Sequence, residues 1–319
     1  MKKIKVDNKS IRKIINERYK KCIENKTYVI DVSDLDTSEV TNMSALFYDL
    51  ELLEKIKGLE TWDTSQVTNM SSLFYWCKNL RTLDLSTWKT NQVTHTAYMF
   101  KNCFNLEELD LSGWDTSQVT NMKFMFSKCI RLTSLKVNDW DTSQVKDMSY
   151  IFYDCRDLKE LDLSNFDTSK VKDMSAMFED CFNLKELDIS KFKTNQVTNM
   201  KFMFKDCGNL TSIDLSSFDT SKVTNMSYMF YRCENMTTLD LNSFNFSKVK
   251  EMYGMFSCED EEREKEKIGQ LEEIKGIEKL LNCETYKKLS KEDQMNIFKE
   301  TKIDLEKELK KLNKKEKER

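Results

Sequence analysis

Ten cysteines, one histidine and a recurring set of carboxylates are the side chains of this 319-residue chain that could do chemistry. Cysteines can bind zinc or pair as disulfides, but zinc sites draw on close pairs such as C-x-x-C, and the sequence holds none. Instead Cys77, Cys103, Cys129, Cys155, Cys181, Cys207 and Cys233 recur every 26 residues, with Cys258 one residue early. Each falls among apolar neighbours, so the spacing predicts free, buried thiols packed as small soft side chains, and with them a reducing compartment. The lone histidine, His95, removes most hydrolytic triads and His-based metal sites. It stands where Asn42, Asn69, Asn121, Asn199 and Asn225 stand in other copies, as one variant of a polar column. Paired carboxylates such as Glu108 and Asp110 could serve as acid and base, but they recur as a stack and imply no cleft. The six glycines form no phosphate-cradling pattern. The chain therefore reads as non-enzymatic, with no metal and no cofactor.

What positions these residues is a repeat. Aligning the chain on the segment that reads V-T-N-M in most copies places valines at 40, 67, 93, 119, 145, 171, 197, 223 and 249. The first step is 27 residues and the others are 26, a period that belongs to leucine-rich-repeat solenoids. Residues 63–88 show one unit. Leu80, Leu83 and Leu85 end in a period-2 alternation, which predicts a short strand with Asp84 outward. Trp88 follows, and a polar Asp-Thr-Ser corner of the kind at 63–65 supplies turn-forming oxygens. Val67, Met70, Leu73, Phe74, Cys77 and Leu80 then fall at helical spacing, which predicts a helical segment. The expected fold is an α/β repeat: a solenoid with a sheet of short strands on one side and helical segments on the other. Stacking puts like residues in ladders, with phenylalanine from Phe47 and Phe74 to Phe256, and a corner aromatic from Trp62 to Phe244. Proline is absent, as suits a chain whose amides are needed between turns.

The run L-x-x-L-D-L-S-x-F-D-T-S-x-V-T-N-M-x-x-M-F-x-x-C over residues 36–258 resembles the bacterial BspA-type leucine-rich repeats, in the variety found in mycoplasma lipoproteins. The resemblance implies a right-handed solenoid with a binding role. It also implies the alternative reading of a surface or secreted adhesin-like protein that binds host or bacterial surface components.

Two faces are candidates for binding. Asp84, Asp110, Asp162, Asp188, Asp214 and Asp240, with Glu108, Glu160 and Glu186 two residues earlier in their units, are expected to line the exposed sheet. Stacked carboxylates repel at about 5 Å, so they either bond to neighbouring hydroxyls and amides or await a basic partner or cations. Five residues after the valine stand Tyr98, Phe124, Tyr150, Phe202 and Tyr228, which helical spacing turns away from the core as an aromatic strip. These rings either contact a partner or only stack on one another.

The ends differ from the repeats. Residues 1–35 are basic and predict a helix after Ser10 with Ile11, Ile14, Ile15, Tyr19 and Cys22 on one face. Residues 259–319 are charged and predict two helices, one carrying Ile268, Leu271, Ile274, Ile277 and Leu281. The other starts after Ser290 and carries Met295, Phe298, Leu305, Leu309 and Leu312. Both ends are expected to cap the solenoid, and the C-terminal helices also offer a route to self-association. A net charge of −3 argues against a nucleic-acid partner, and no apolar run is long enough to span a membrane. With no signal-peptide core at the N-terminus, the expected location is cytoplasmic, and display would need a signal that has been removed. A protein partner of unstated identity is the expectation.

Overall fold

A computed structural model describes residues 3–258, 271, 273–299, 301 and 303–317. Tandem turns of chain stack into a repeat solenoid whose apolar residues form one continuous core. Nine phenylalanines, Phe47 to Phe256, are buried, and successive rings of this column lie 5.2–5.8 Å apart between centroids and nearly parallel. Beside them Trp62, Trp88 and Trp114 stack in turn at 6.2–6.3 Å, and Trp140 stacks on Phe166 at 6.3 Å. Each indole N–H donates to a carbonyl of the preceding turn, as Trp140 does to Leu111 at 3.0 Å.

All ten cysteines are buried and unbridged. The seven that share the repeat position each point Sγ at a phenylalanine carbonyl of the turn before, at 3.0–3.2 Å. Burial raises these thiols far above the ordinary range, so they stay protonated and can donate. A second buried column, Thr37 to Thr220, sends each hydroxyl to a carbonyl of the next corner at 2.9–3.0 Å.

The segment with helical spacing is not a helix. In the turn that begins at Val119, the amides of Met125, Ser127 and Cys129 donate to carbonyls three residues back. Those of Met122, Phe124, Phe126 and Lys128 instead donate to Asp147, Ser149, Ile151 and Tyr153 of the next turn, at 2.6–3.1 Å. A helix keeps every amide within itself; here every second one is sent to the neighbour. The switch is made by residues in the left-handed region, two in each turn from Ala45 and Asp49 to Tyr228 and Arg232, all with φ between +52° and +69°. Non-glycine residues accept this at a cost of about 1–2 kcal/mol each only where surrounding bonds enforce it. The apolar offsets survive because consecutive tight turns repeat at nearly the same spacing as a helix.

The expected sheet is correspondingly broken. β1 (Ile4–Lys5) pairs in parallel with β3 (Leu35–Asp36), and β2 (Val29–Asp31) with β4 (Lys55–Lys57). β5 (Glu108–Asp110) pairs with β6 (Ser134–Lys136), and β7 (Thr238–Asp240) with β8 (Glu273–Lys275). Among the described residues the other L-D-L segments form no strand, apart from one isolated parallel bridge from Thr82 to Glu108. The uninterrupted parallel ladder runs through the polar column Asn42, Asn69, His95, Asn121, Asp147, Asp173, Asn199, Asn225 and Glu251.

At the N-terminal end, α1 (Ser10–Glu24) starts where expected and buries Ile11, Ile15 and Cys22. The Asn8 side chain accepts from the amides of Thr41 and Asn42, and Arg12 donates to the carbonyls of Ser44 and Ala45. The bonds to the Thr41 amide and the Ser44 carbonyl replace ones that later units make with the preceding turn. At the other end the chain departs from two long helices. Ile268 lies outside the described residues; Leu271 and Ile274 belong to or flank β8, and α2 (Ile277–Leu281) follows Gly276. After α3 (Glu284–Lys288), Ser290 caps only the short α4 (Lys291–Asn296), and α5 (Leu305–Lys317) is separate. Between them Ile297 and Lys299 accept from Phe256 and Cys258, and Phe298 stacks on Phe256 at 5.5 Å. The segment takes the place of one further turn. Met295, expected inside, is exposed.

The thiol donors make a direct prediction. Cys155→Ala should lower the unfolding free energy by about 1–2 kcal/mol, through a small cavity and the loss of its bond to the Phe126 carbonyl. An unchanged urea midpoint would contradict this.

Candidate binding faces

On the acidic side, the aspartates turn back on their own chain. Asp84, Asp110, Asp162, Asp188 and Asp214 each accept the amide of the serine two residues on at 2.9–3.2 Å, and Asp240 accepts that of Asn242. In three units the serine hydroxyl adds a second bond at 2.6–2.7 Å. These bonds hold Asp162, Asp188 and Asp214 below the usual carboxylate range. Asp110 falls to about 2, through Lys136 at 2.8 Å and then Ser112. Glu108, Glu160 and Glu186 are exposed beside them. This face therefore consists largely of turn-forming groups whose carboxylates are already bonded.

The aromatic side is organised differently. Tyr98, Phe124, Tyr150, Phe202 and Tyr228 all occupy left-handed positions and are half-buried. They do not project from a helix; they lean along the solenoid and stack. Tyr98 lies 5.1 Å from Phe124, Phe124 4.4 Å from Tyr150, and Phe202 5.3 Å from Tyr228. Tyr253, with half its surface exposed, ends the column against Tyr228 where Gly254 leaves room for the tyrosine ring. Lysine ammonium groups sit over these rings, Lys101 4.1 Å from the centre of Phe124 and Lys201 4.4 Å from that of Phe202. Both edges and cations of this column reach solvent.

The column breaks once, at the buried Ala176 between Tyr150 and Phe202. Here the structure holds an ionic network that composition and period do not announce. Glu179, 7% exposed, is 2.8 Å from Lys205, which also reaches Asp206 at 3.2 Å. Arg232 meets Asp206 at 3.0 Å, and Arg156 meets the buried Asp154 at 2.6 Å. Burial opposes the Lys205 charge, but Glu179 and Asp206 outweigh it and hold the ammonium well above its ordinary value. Burial raises Glu179, and it lifts Asp180 to about 6, helped by Asp206 and then Asp154 on either side and only partly offset by Lys205 and Arg156. The signal was present residue by residue: at these offsets other copies carry Tyr75-Trp76 or Lys101-Asn102, whereas these two carry Glu179-Asp180 and Lys205-Asp206.

His95 is exposed, with Nδ1 2.7 Å from the Thr94 hydroxyl. Among the described residues, no group of three or more His, Cys, Asp and Glu side chains is arranged to hold a metal ion. No helix of the described residues is long and apolar enough to cross a membrane.

Comparison with known proteins bears on these repeats. A family model described as "Mycoplasma protein of unknown function, DUF285" matches residues 15–129, 72–181 and 157–268. The chain belongs to this family. The DUF285 match runs through every one of the 26-residue units described above. No curated protein matches the chain. Among solved structures, a chain of the TLR13–ssRNA13 complex aligns with 16% identity and a TM-score of 0.28, over 77% of the DUF285 chain and 43% of its own length. The chain thus spans less than half of that neighbour.

The Asp180 site fixes a pH dependence. Its folded pKa lies above the unfolded 3.8, so the folded state binds more protons between these values and stability falls as pH rises from about 4 to about 6. The full shift would correspond to about 3 kcal/mol, which water access to a half-buried carboxyl reduces to about 1–2. Asp180→Asn should therefore stabilise the chain by that amount at pH 7 and flatten the profile between pH 4 and 6. Equal stability of variant and parent at pH 7, with the same slope between pH 4 and 6, would refute the assignment.

Proposed function

We propose that the chain is a non-enzymatic, protein-binding solenoid whose contact surface is the stacked aromatic column. The observation that carries this reading is the half-exposed stack of Tyr98, Phe124 and Tyr150, continued past Ala176 by Phe202 and Tyr228. Rings held by turn geometry lose little freedom on binding, and aromatic anchors of this kind dominate interface energies. The aspartates of the opposite face are less suited, because each already accepts bonds from its own turn.

Within this reading the terminal segments act as caps. Asn8 and Arg12 satisfy backbone groups of the first turn, and Ile297, Phe298 and Lys299 supply what a tenth turn would. The resemblance to BspA-type repeats supports the right-handed winding and the binding role. Leu305, Leu309 and Leu312 pack partly against the core, which leaves little of that stripe for self-association.

The test is a titration of a partner, once captured by the full-length chain, against face-specific variants. Phe124→Asn and Tyr228→Asn keep a residue that tolerates the left-handed backbone. Together they should weaken binding by roughly 30-fold or more, at about 2 kcal/mol for a lost aromatic anchor. Asp162→Asn with Asp188→Asn should leave it unchanged. The reverse pattern, with urea midpoints retained, would transfer the contact surface to the acidic face.

A further inference from the structure

Charge is segregated along the aromatic column. In the three stretches 71–76, 97–102 and 123–128, which present this face in successive turns, there are three lysines and no carboxylate. The next three, 149–154, 175–180 and 201–206, carry Asp154, Glu179, Asp180 and Asp206 together with Lys201 and Lys205.

The three lysines of the first group, Lys101, Lys123 and Lys128, are all half-buried. Lys101 stands over three rings, at 4.1 Å from Phe124, 5.5 Å from Tyr98 and 5.8 Å from Tyr75. Lys123 lies 5.3 Å from Phe124, and Lys128 5.8 Å from Tyr153. Among the described residues no carboxylate comes within 4 Å of any of the three ammonium groups, whereas Lys78, Lys136 and Lys205 each have one at 2.7–2.8 Å. Burial lowers Lys101, and the neighbouring Lys128 and Lys123 lower it further. Partly desolvated cations that repel one another and lack a counter-charge favour an anion brought from outside.

We propose that Lys101, Lys123 and Lys128, set among the Tyr98 and Phe124 rings, are the docking point for an acidic peptide segment of the protein partner. This rests on the aromatic column being the contact surface. The lysines lie on two successive turns about 4.8 Å apart, Lys101 on one and Lys123 and Lys128 on the next, within reach of two or three carboxylates of one extended segment. The rings flank the same strip and suit an aromatic or aliphatic side chain within the segment. A polyphosphate strand fits less well: continued along the column, it would run onto Asp154, Glu179, Asp180 and Asp206.

The probe is a fluorescent peptide of alternating glutamate and phenylalanine, titrated by anisotropy against the full chain. A lysine–phenylalanine counterpart and a single-stranded oligonucleotide of matched charge serve as competitors. The acidic peptide should bind, weaken as salt rises, and lose at least ten-fold in affinity in the triple variant K101Q/K123Q/K128Q. The control K170Q/K222Q/K248Q, at the corners, should bind as the parent does. Three outcomes overturn the proposal: no binding of the acidic peptide, equal binding to the triple variant at an unchanged urea midpoint, or tighter binding of the oligonucleotide. If the captured partner is lost with Phe124→Asn and Tyr228→Asn but kept by the triple lysine variant, the aromatic surface stands and the acidic docking point falls.

Discussion

The structure depends on where the backbone amides of the segment after each valine send their bonds. Half close a tight turn within the unit, and half cross to the next unit. A buried amide left unpaired costs about as much as a lost hydrogen bond, so neither half can be abandoned. The outward amides set the spacing between turns, require two left-handed residues per unit, and leave an open edge at each end. Asn8 and Arg12 meet one edge and the Ile297–Lys299 segment meets the other, with bonds of the same kind.

Once the turns are locked in register, side chains can only repeat or compensate. Phenylalanine on phenylalanine, indole N–H to carbonyl, threonine hydroxyl to carbonyl and thiol to carbonyl all work when copied. Charges do not, since like groups would stand about 5 Å apart. The acidic face escapes this by bonding each aspartate to its own turn. On the aromatic face, carboxylates paired with cations appear around the interruption of the stack, and there the units stop being copies: Glu179 is answered by Lys205, and Asp206 by Arg232.

The period, the inward ladders and the buried thiols were legible in the sequence because each is written many times over. The helical segment was misread for a physical reason. Val67, Met70, Leu73, Phe74 and Cys77 are spaced as on a helix, and a run of tight turns buries the same offsets. What distinguishes the two is backbone handedness at Ser72 and Trp76, residues that carry no glycine signal. The C-terminal segment was misread for the opposite reason: Ile297 and Phe298 complete the stack with almost none of the motif around them. The aromatic strip, expected to turn away from the core, instead consists of leaning, half-buried rings that stack on one another. Its ionic interruption follows from single substitutions that no pattern averages out.

The most direct test of this architecture is a scalar coupling measured across a hydrogen bond by NMR. The account predicts coupling from the Phe126 amide nitrogen to the Ile151 carbonyl carbon, 25 residues ahead in the next turn. Coupling to the Met122 carbonyl instead, four residues back as in an α-helix, would contradict it.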